Sequence, residues 1–208
     1  MNPLHLFVDS QFTSPYALSA FVALVEKGID FKMSTVDLQA LENQTEAYAA
    51  LSQTQRVPTL LDGGFALSES SAITEYLENA YPKVPIYPDD LRLLAKARQV
   101  QAWIRSDLLP IRQERSTLVV FYGEQAGPLS PAATSAAKKL FQSAKALLQN
   151  DAEYLFGQWS IADVDLALML NRLILNGDEV PPVLVEYAQR QWQRPSVNAW
   201  VTLQRPPL

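Results

Sequence analysis

At 208 residues, 48% of them hydrophobic, the chain can pack one large or two small domains, which excludes a disordered or low-complexity protein. A net charge of −5 supplies no basic footprint for nucleic acid and disfavours anionic membrane surfaces. Cysteine is absent and His5 is the only histidine, which rules out disulfides, protein thiolates, zinc-thiolate sites and histidine metal clusters; no metal is expected.

In chain order, Leu4 to Val8 reads as a short buried strand, with His5 a packed member of it rather than part of a catalytic triad. Thr13-Ser14-Pro15-Tyr16 then opens a helix. Leu18, Phe21, Val22 and Val25 share one face of it, Ser14 is a natural N-cap, Pro15 a natural first residue, and Gly28 stands at the stop. The Ser14 hydroxyl therefore lies at a strand-to-helix turn, a place that favours bound negative charge. From this stretch alone, plain helix capping is the simpler reading.

Ile29 to Leu38 reads as a second strand and Thr45 to Leu51 as a short helix. Val57 to Leu61 and Phe65 to Leu67 form a hairpin about Asp62-Gly63-Gly64. A helix over Ser70 to Tyr81 places Ile73, Tyr76, Leu77 and Ala80 on one face. The order β-α-β-α-β-β-α makes a compact α/β unit over residues 1–81. Pro82, Pro85 and Pro88 mark a stiff linker over 82–90, and residues 91–208 read as all helical.

In that second part, Leu93, Ala97, Val100, Ile104, Leu108 and Ile111 give one long amphipathic face, which Pro110 should kink or locally break. Ser130-Pro131 repeats the cap-and-proline start, and Ser160-Ile161-Ala162-Asp163 has capping-box spacing. The apolar run Ile161 to Leu175 holds Asp163, Asp165, Asn171 and Arg172, so it reads as a buried core helix rather than a bilayer span. Helices are also expected near Val183 to Trp192 and after Pro195.

Two features carry chemistry beside Ser14. If the Val57–Pro58 bond is cis, Val57 turns its backbone N–H and C=O outward, free to pair with an extended ligand. Eleven residues after Pro58 comes Glu69, followed by Ser70 at a helix start. Ser70 with the helix N-terminus suits the carboxylate of an amino acid head group, and Glu69 its ammonium, though the cluster also reads as a set of caps.

Taken together, these residues resemble the glutathione S-transferase superfamily over about Leu4 to Val201. The segment from Arg56-Val57-Pro58 through Leu67-Ser68-Glu69-Ser70 is similar to that family's glutathione-binding core. Gly157 with Ser160 to Asp163 is similar to the capping-box signature of its helical domain, and Arg194 to Val197 to its C-terminal segment. Thr13 to Tyr16 is similar to serine-type active sites of bacterial, zeta-like or theta-like members.

The resemblance implies an α/β plus all-α fold, a thioredoxin-like domain followed by a helical one. It implies glutathione as cosubstrate and an enzyme, in a detoxifying role, that activates the glutathione thiol for attack on a small electrophile. Peroxide reduction and isomerisation are variants of that chemistry, and a catalytically silent scaffold is the alternative. A cytoplasmic homodimer is implied, without nucleic-acid or membrane partners. By the same resemblance Ser14 holds the thiolate, with Ser10, Thr13 and Tyr16 near enough to share or take over the bond. Val57, set by Pro58, pairs with the cysteinyl part, Glu69 and Ser70 anchor the γ-glutamyl group, and Arg56 either meets the glycyl carboxylate or is merely solvated. Trp103, Arg112, Arg115, Phe121 and Tyr122 are candidates for the electrophile site, which is expected between the domains. Capping and thiolate binding are expected to compete for the single Ser14 hydroxyl.

Overall fold

The structure, a computed structural model, describes residues 3–148 and 152–208. The chain divides into two compact units, one holding the sequence up to Ile86 together with Ser196–Leu208, the other Tyr87–Pro195.

The first unit is built on a mixed sheet of β1 (Leu4–Asp9), β2 (Phe31–Val36), β3 (Thr59–Asp62) and β4 (Phe65–Ser68), in the order β2-β1-β3-β4. β1 and β2 are parallel, so a crossover must join them, and α1 (Pro15–Glu26) supplies it. The pairs β1–β3 and β3–β4 are antiparallel. With α2 (Glu46–Leu51) and α3 (Ser70–Ala80), this is the expected thioredoxin-like arrangement. Every residue from Ala17 to Leu24 is buried, so α1 is a core helix rather than a one-sided one. It ends where expected, with Gly28 at φ 62°.

β3 begins at Thr59, two residues later than the apolar run suggests. Pro58 has no N–H to give the ladder, and the Val57–Pro58 peptide is cis. The proline-rich stretch is anchored at its start. The buried Lys27 ammonium pairs with Glu78 (2.6 Å) and donates to the carbonyls of Tyr81 (3.0 Å) and Val84 (2.7 Å), while Glu78 accepts from the Ile86 N–H (3.1 Å).

The second unit is helical: α4 (Leu91–Ser106), α5 (Leu109–Glu114), α6 (Thr117–Tyr122), α7 (Pro131–Leu147), α8 (Ile161–Ile174) and α9 (Pro182–Trp192), with α10 (Pro195–Val201) leading out of it. Of the two outcomes expected at Pro110, the break occurs: α4 stops at Ser106, and Pro110 takes an early position in a separate α5. α6 is an addition to the sequence reading. Its signals were present in Ser116, whose hydroxyl accepts from the Leu118 N–H (3.1 Å), and in Gly123 at φ 70°. α8 is the core helix, buried along nearly its whole length and packed on α4 and α9. No described helix is long and apolar enough to cross a membrane.

Polar contacts fix the ends of these helices. The Glu114 carboxylate accepts from both the N–H and the hydroxyl of Ser130, the N-cap of α7. Those bonds, the hydroxyl first, hold the Glu114 carboxyl below the ordinary glutamate range. A folded pKa depressed in this way adds stability above the unfolded pKa that is lost as pH falls through the folded one. Denaturant titrations should therefore show Glu114→Gln less stable than the parent at neutral pH, with the gap closing below the ordinary glutamate range. A gap independent of pH would contradict the charge-assisted bond.

Candidate active site

Strand register brings the sequence-predicted residues to one end of the sheet. Phe7 pairs with Thr59, and Thr59 pairs with Ser68. The exit of β1, the approach to β3 and the exit of β4 therefore lie side by side. Ser10–Ser14 leave from the first, Arg56-Val57-Pro58 lead into the second, and Glu69-Ser70 follow the third. Among the described residues, four non-glycine residues have left-handed φ; Phe12 (52°) and Glu69 (73°) belong to these segments, and Gln55 (52°) directly precedes the second. Such backbone costs about 1–3 kcal/mol per residue and collects where surroundings over-determine a site.

Asp9 shapes the first segment, and the sequence reading did not single it out. This buried residue closes β1, and its carboxylate accepts from the Thr13 N–H (2.6 Å), the Thr13 hydroxyl (2.9 Å) and the Ser14 N–H (3.0 Å). The one available signal was an acid placed directly after an apolar strand. The Thr13 hydroxyl proton is thus committed to Asp9. Ser14 differs: its oxygen accepts from the Ala17 N–H (3.2 Å), capping α1, and its own proton meets no acceptor among the described residues. Capping and donation draw on different parts of the hydroxyl, a lone pair for the cap and the O–H for a donor bond. A donor onto the oxygen also polarises the O–H and strengthens it as a donor.

The second segment is pinned through one carbonyl. The Arg56 C=O lies within hydrogen-bond reach of the hydroxyls of Tyr48 (3.1 Å), Thr59 (3.0 Å) and Ser52 (3.3 Å). Burial pushes the Tyr48 phenol up, against weaker opposing bonds to Thr59 and Ser52, so it stays a neutral donor. Val57 is buried in a small cluster with Val36 and Tyr48, yet its N–H and C=O lie outside the ladder and take no partner among the described residues. The Arg56 side chain is exposed. In the third segment Glu69 is exposed and makes no side-chain cap bond to α3, while Ser70 is buried.

Several electrophile-site candidates are occupied within the helical unit. Arg115 is buried and holds Asp178 in a two-pronged pair (2.6 and 2.7 Å), so it is a structural cation. Arg112 donates to the Arg105 carbonyl (2.6 Å), and the Trp103 indole donates to Asp107 (2.9 Å).

Family models decide the relationship. That for the glutathione S-transferase C-terminal domain matches residues 90–205, and that for the N-terminal domain matches residues 13–80. The chain belongs to the glutathione S-transferase family. It is 36% identical to glutathione S-transferase theta-1 of Mus musculus over 139 residues, 64% of this chain and 57% of the mouse protein. It thus spans less than two thirds of that relative's length. Among solved structures it is similar to a glutathione transferase homolog from Burkholderia gl BGR1 with bound glutathione, with a TM-score of 0.79, 44% identity and 96% of each chain covered. It is also similar to the theta class glutathione S-transferase of Xanthomonas axonopodis pv. citri with glutathione bound, at a TM-score of 0.78 and 25% identity, covering 98% of this chain and 99% of that one. The glutathione S-transferase fold, a thioredoxin-like unit followed by a helical one, is therefore the fold of this chain.

Proposed function

We propose that this glutathione S-transferase family member is a glutathione transferase. It binds glutathione at the shared end of β1, β3 and β4, ionises its thiol and directs the thiolate onto a small electrophile. The observation that carries the reading is one hydroxyl, that of Ser14, which caps a helix and keeps its proton to give. Beside it on the sheet stand the unpaired backbone of Val57 and the exposed Glu69 ahead of buried Ser70. Val57 pairs with the cysteinyl backbone, with cis-Pro58 fixing the turn. Glu69 takes the γ-glutamyl ammonium, Ser70 and the start of α3 its carboxylate, and Arg56 the glycyl carboxylate. The bound glutathione named for the two solved relatives supports the ligand.

The active form is a homodimer working in the cytoplasm, which suits a chain without cysteine. Peroxide reduction and isomerisation start from the same thiolate, so a panel of electrophiles, hydroperoxides and cis-enediones run with glutathione sorts these activities. Calorimetry tests the ligand itself. Glutathione is expected to bind one per chain with measurable heat, and to bind more weakly to Glu69→Ala. Absence of binding by a folded sample would favour a scaffold that keeps the fold without the chemistry.

A further inference from the structure

The C-terminal segment Ser196–Leu208 returns to the first unit and closes on the loop that carries Ser14. Trp200, fully buried, meets the Phe12 ring edge-on (5.9 Å between centroids) and lies against Phe21 (5.3 Å). Ser196 adds a hydroxyl bond to Glu26 at the end of α1. Beyond the helix, Arg205 folds back. One nitrogen donates to the carbonyls of Val201 (2.8 Å) and Leu203 (3.0 Å), and the other to those of Trp200 (3.1 Å) and Phe12 (3.2 Å).

Three of those four acceptors lie at or just past the end of α10, where carbonyls lack helical partners. The fourth is different in kind. Phe12 is 193 residues away in the chain and stands two residues before Ser14. Its backbone is left-handed, at φ 52°, and its N–H donates to the Asp9 carbonyl (3.0 Å). The loop is thus held from two sides, by Asp9 on its N–H groups and by Arg205 on the Phe12 carbonyl. A planar guanidinium suits this task because it presents several donors in a fixed fork, whereas an ammonium is a single rotating point.

We infer that Arg205 is a positioning residue for Ser14, fixing through Phe12 the place from which the Ser14 hydroxyl meets the thiolate. The inference rests on the reading that Ser14 holds that thiolate. A hydroxyl displaced or turned from its aim holds a charged acceptor less well, while glutathione contacts to Val57 and Glu69 stay as they were.

The test follows the ultraviolet absorbance of enzyme-bound glutathione thiolate against pH in the full chain, in Arg205→Ala and in Arg205→Lys, beside thermal melts. Both variants are expected to raise the pKa of the bound thiol by about one unit, from about 6.5 to about 7.5, which leaves about threefold less thiolate at neutral pH. kcat should fall by a similar factor, with the glutathione KM changed by about twofold or less. A structural role alone would lower the melting temperature and leave the thiol pKa in place, and that result overturns the inference. A parent-like pKa in Arg205→Lys beside a raised one in Arg205→Ala also overturns it, because charge rather than the fork would then suffice. Should Arg205→Ala fail to fold, Arg205→Lys decides: a raised pKa supports positioning and a parent-like one refutes it. If the parent itself shows no thiolate, the Ser14 reading falls first. If the parent shows it and the variants keep it, Arg205 alone is misassigned.

Discussion

Replacing Ser14 by alanine is expected to lower kcat/KM with an electrophile about 3- to 25-fold near neutral pH, with glutathione binding changed only a few-fold. The magnitude follows from the thiol. Free glutathione ionises near the cysteine reference of about 8.5, and only its thiolate attacks well. Bringing that pKa to about 6.5 requires roughly 2.7 kcal/mol of preference for the charged form. The start of a helix supplies about 0.3–1 kcal/mol, reaching about 2 in sheltered geometry. One hydrogen bond to a charged acceptor supplies about 1.5–3 kcal/mol. The helix start alone falls short, and the hydroxyl closes the gap. Alanine also removes the cap on α1, which costs about 0.5–2 kcal/mol of stability. Ser14→Asp would keep a cap acceptor but bring a negative charge to the thiolate, so it should be at least as inactive as alanine while melting closer to the parent. The pH dependence of kcat/KM checks both: its lower limb should move to higher pH in each variant.

The second large effect lies in the helical unit and concerns stability. Asp163→Ala should cost about 3–5 kcal/mol, read from denaturant unfolding at neutral pH. The Asp163 carboxylate is fully buried and accepts from the N–H groups of Leu155 (2.9 Å) and Ser160 (2.8 Å) and the hydroxyls of Ser160 (3.0 Å) and Tyr187 (2.8 Å). Burial pushes its carboxyl up and those bonds pull it back. The Tyr187 phenol is held well above its ordinary range, by burial first and the neighbouring charge second, so it remains a donor. Removing the carboxylate strands several buried donors together, each worth about 1–3 kcal/mol when unsatisfied. Asparagine would not restore the site, since its amide turns a donor toward donors. A loss below about 1 kcal/mol would mean that water or a shifted backbone satisfies them instead.

What the sequence made legible followed from local rules. Ser14-Pro15, Ser130-Pro131 and Ser160 to Asp163 announce helix starts, and the structure has a helix at each. Asp62-Gly63 turns the hairpin as expected. Local rules failed where the deciding partner is distant or the element very short. α6 has six residues, too few for periodicity to register. Asp9 is an unremarkable acid until Thr13 and Ser14 fold back onto it, and the Arg56 carbonyl is held by hydroxyls from Tyr48, Ser52 and Thr59, none of which a motif marks. Arg115 was a substrate candidate by position and is a buried partner of Asp178, 63 residues on. Arg205 lay outside every pattern, because its significance comes from a carbonyl near the other end of the chain.

The most direct measurement is the pH titration of the thiolate of glutathione bound to the parent protein and to Ser14→Ala, each saturated with glutathione. The parent pKa is expected about two units below that of free glutathione, with a rise of one to two units in the variant. An equal pKa in the two proteins would contradict the Ser14 role and move the thiolate to another donor.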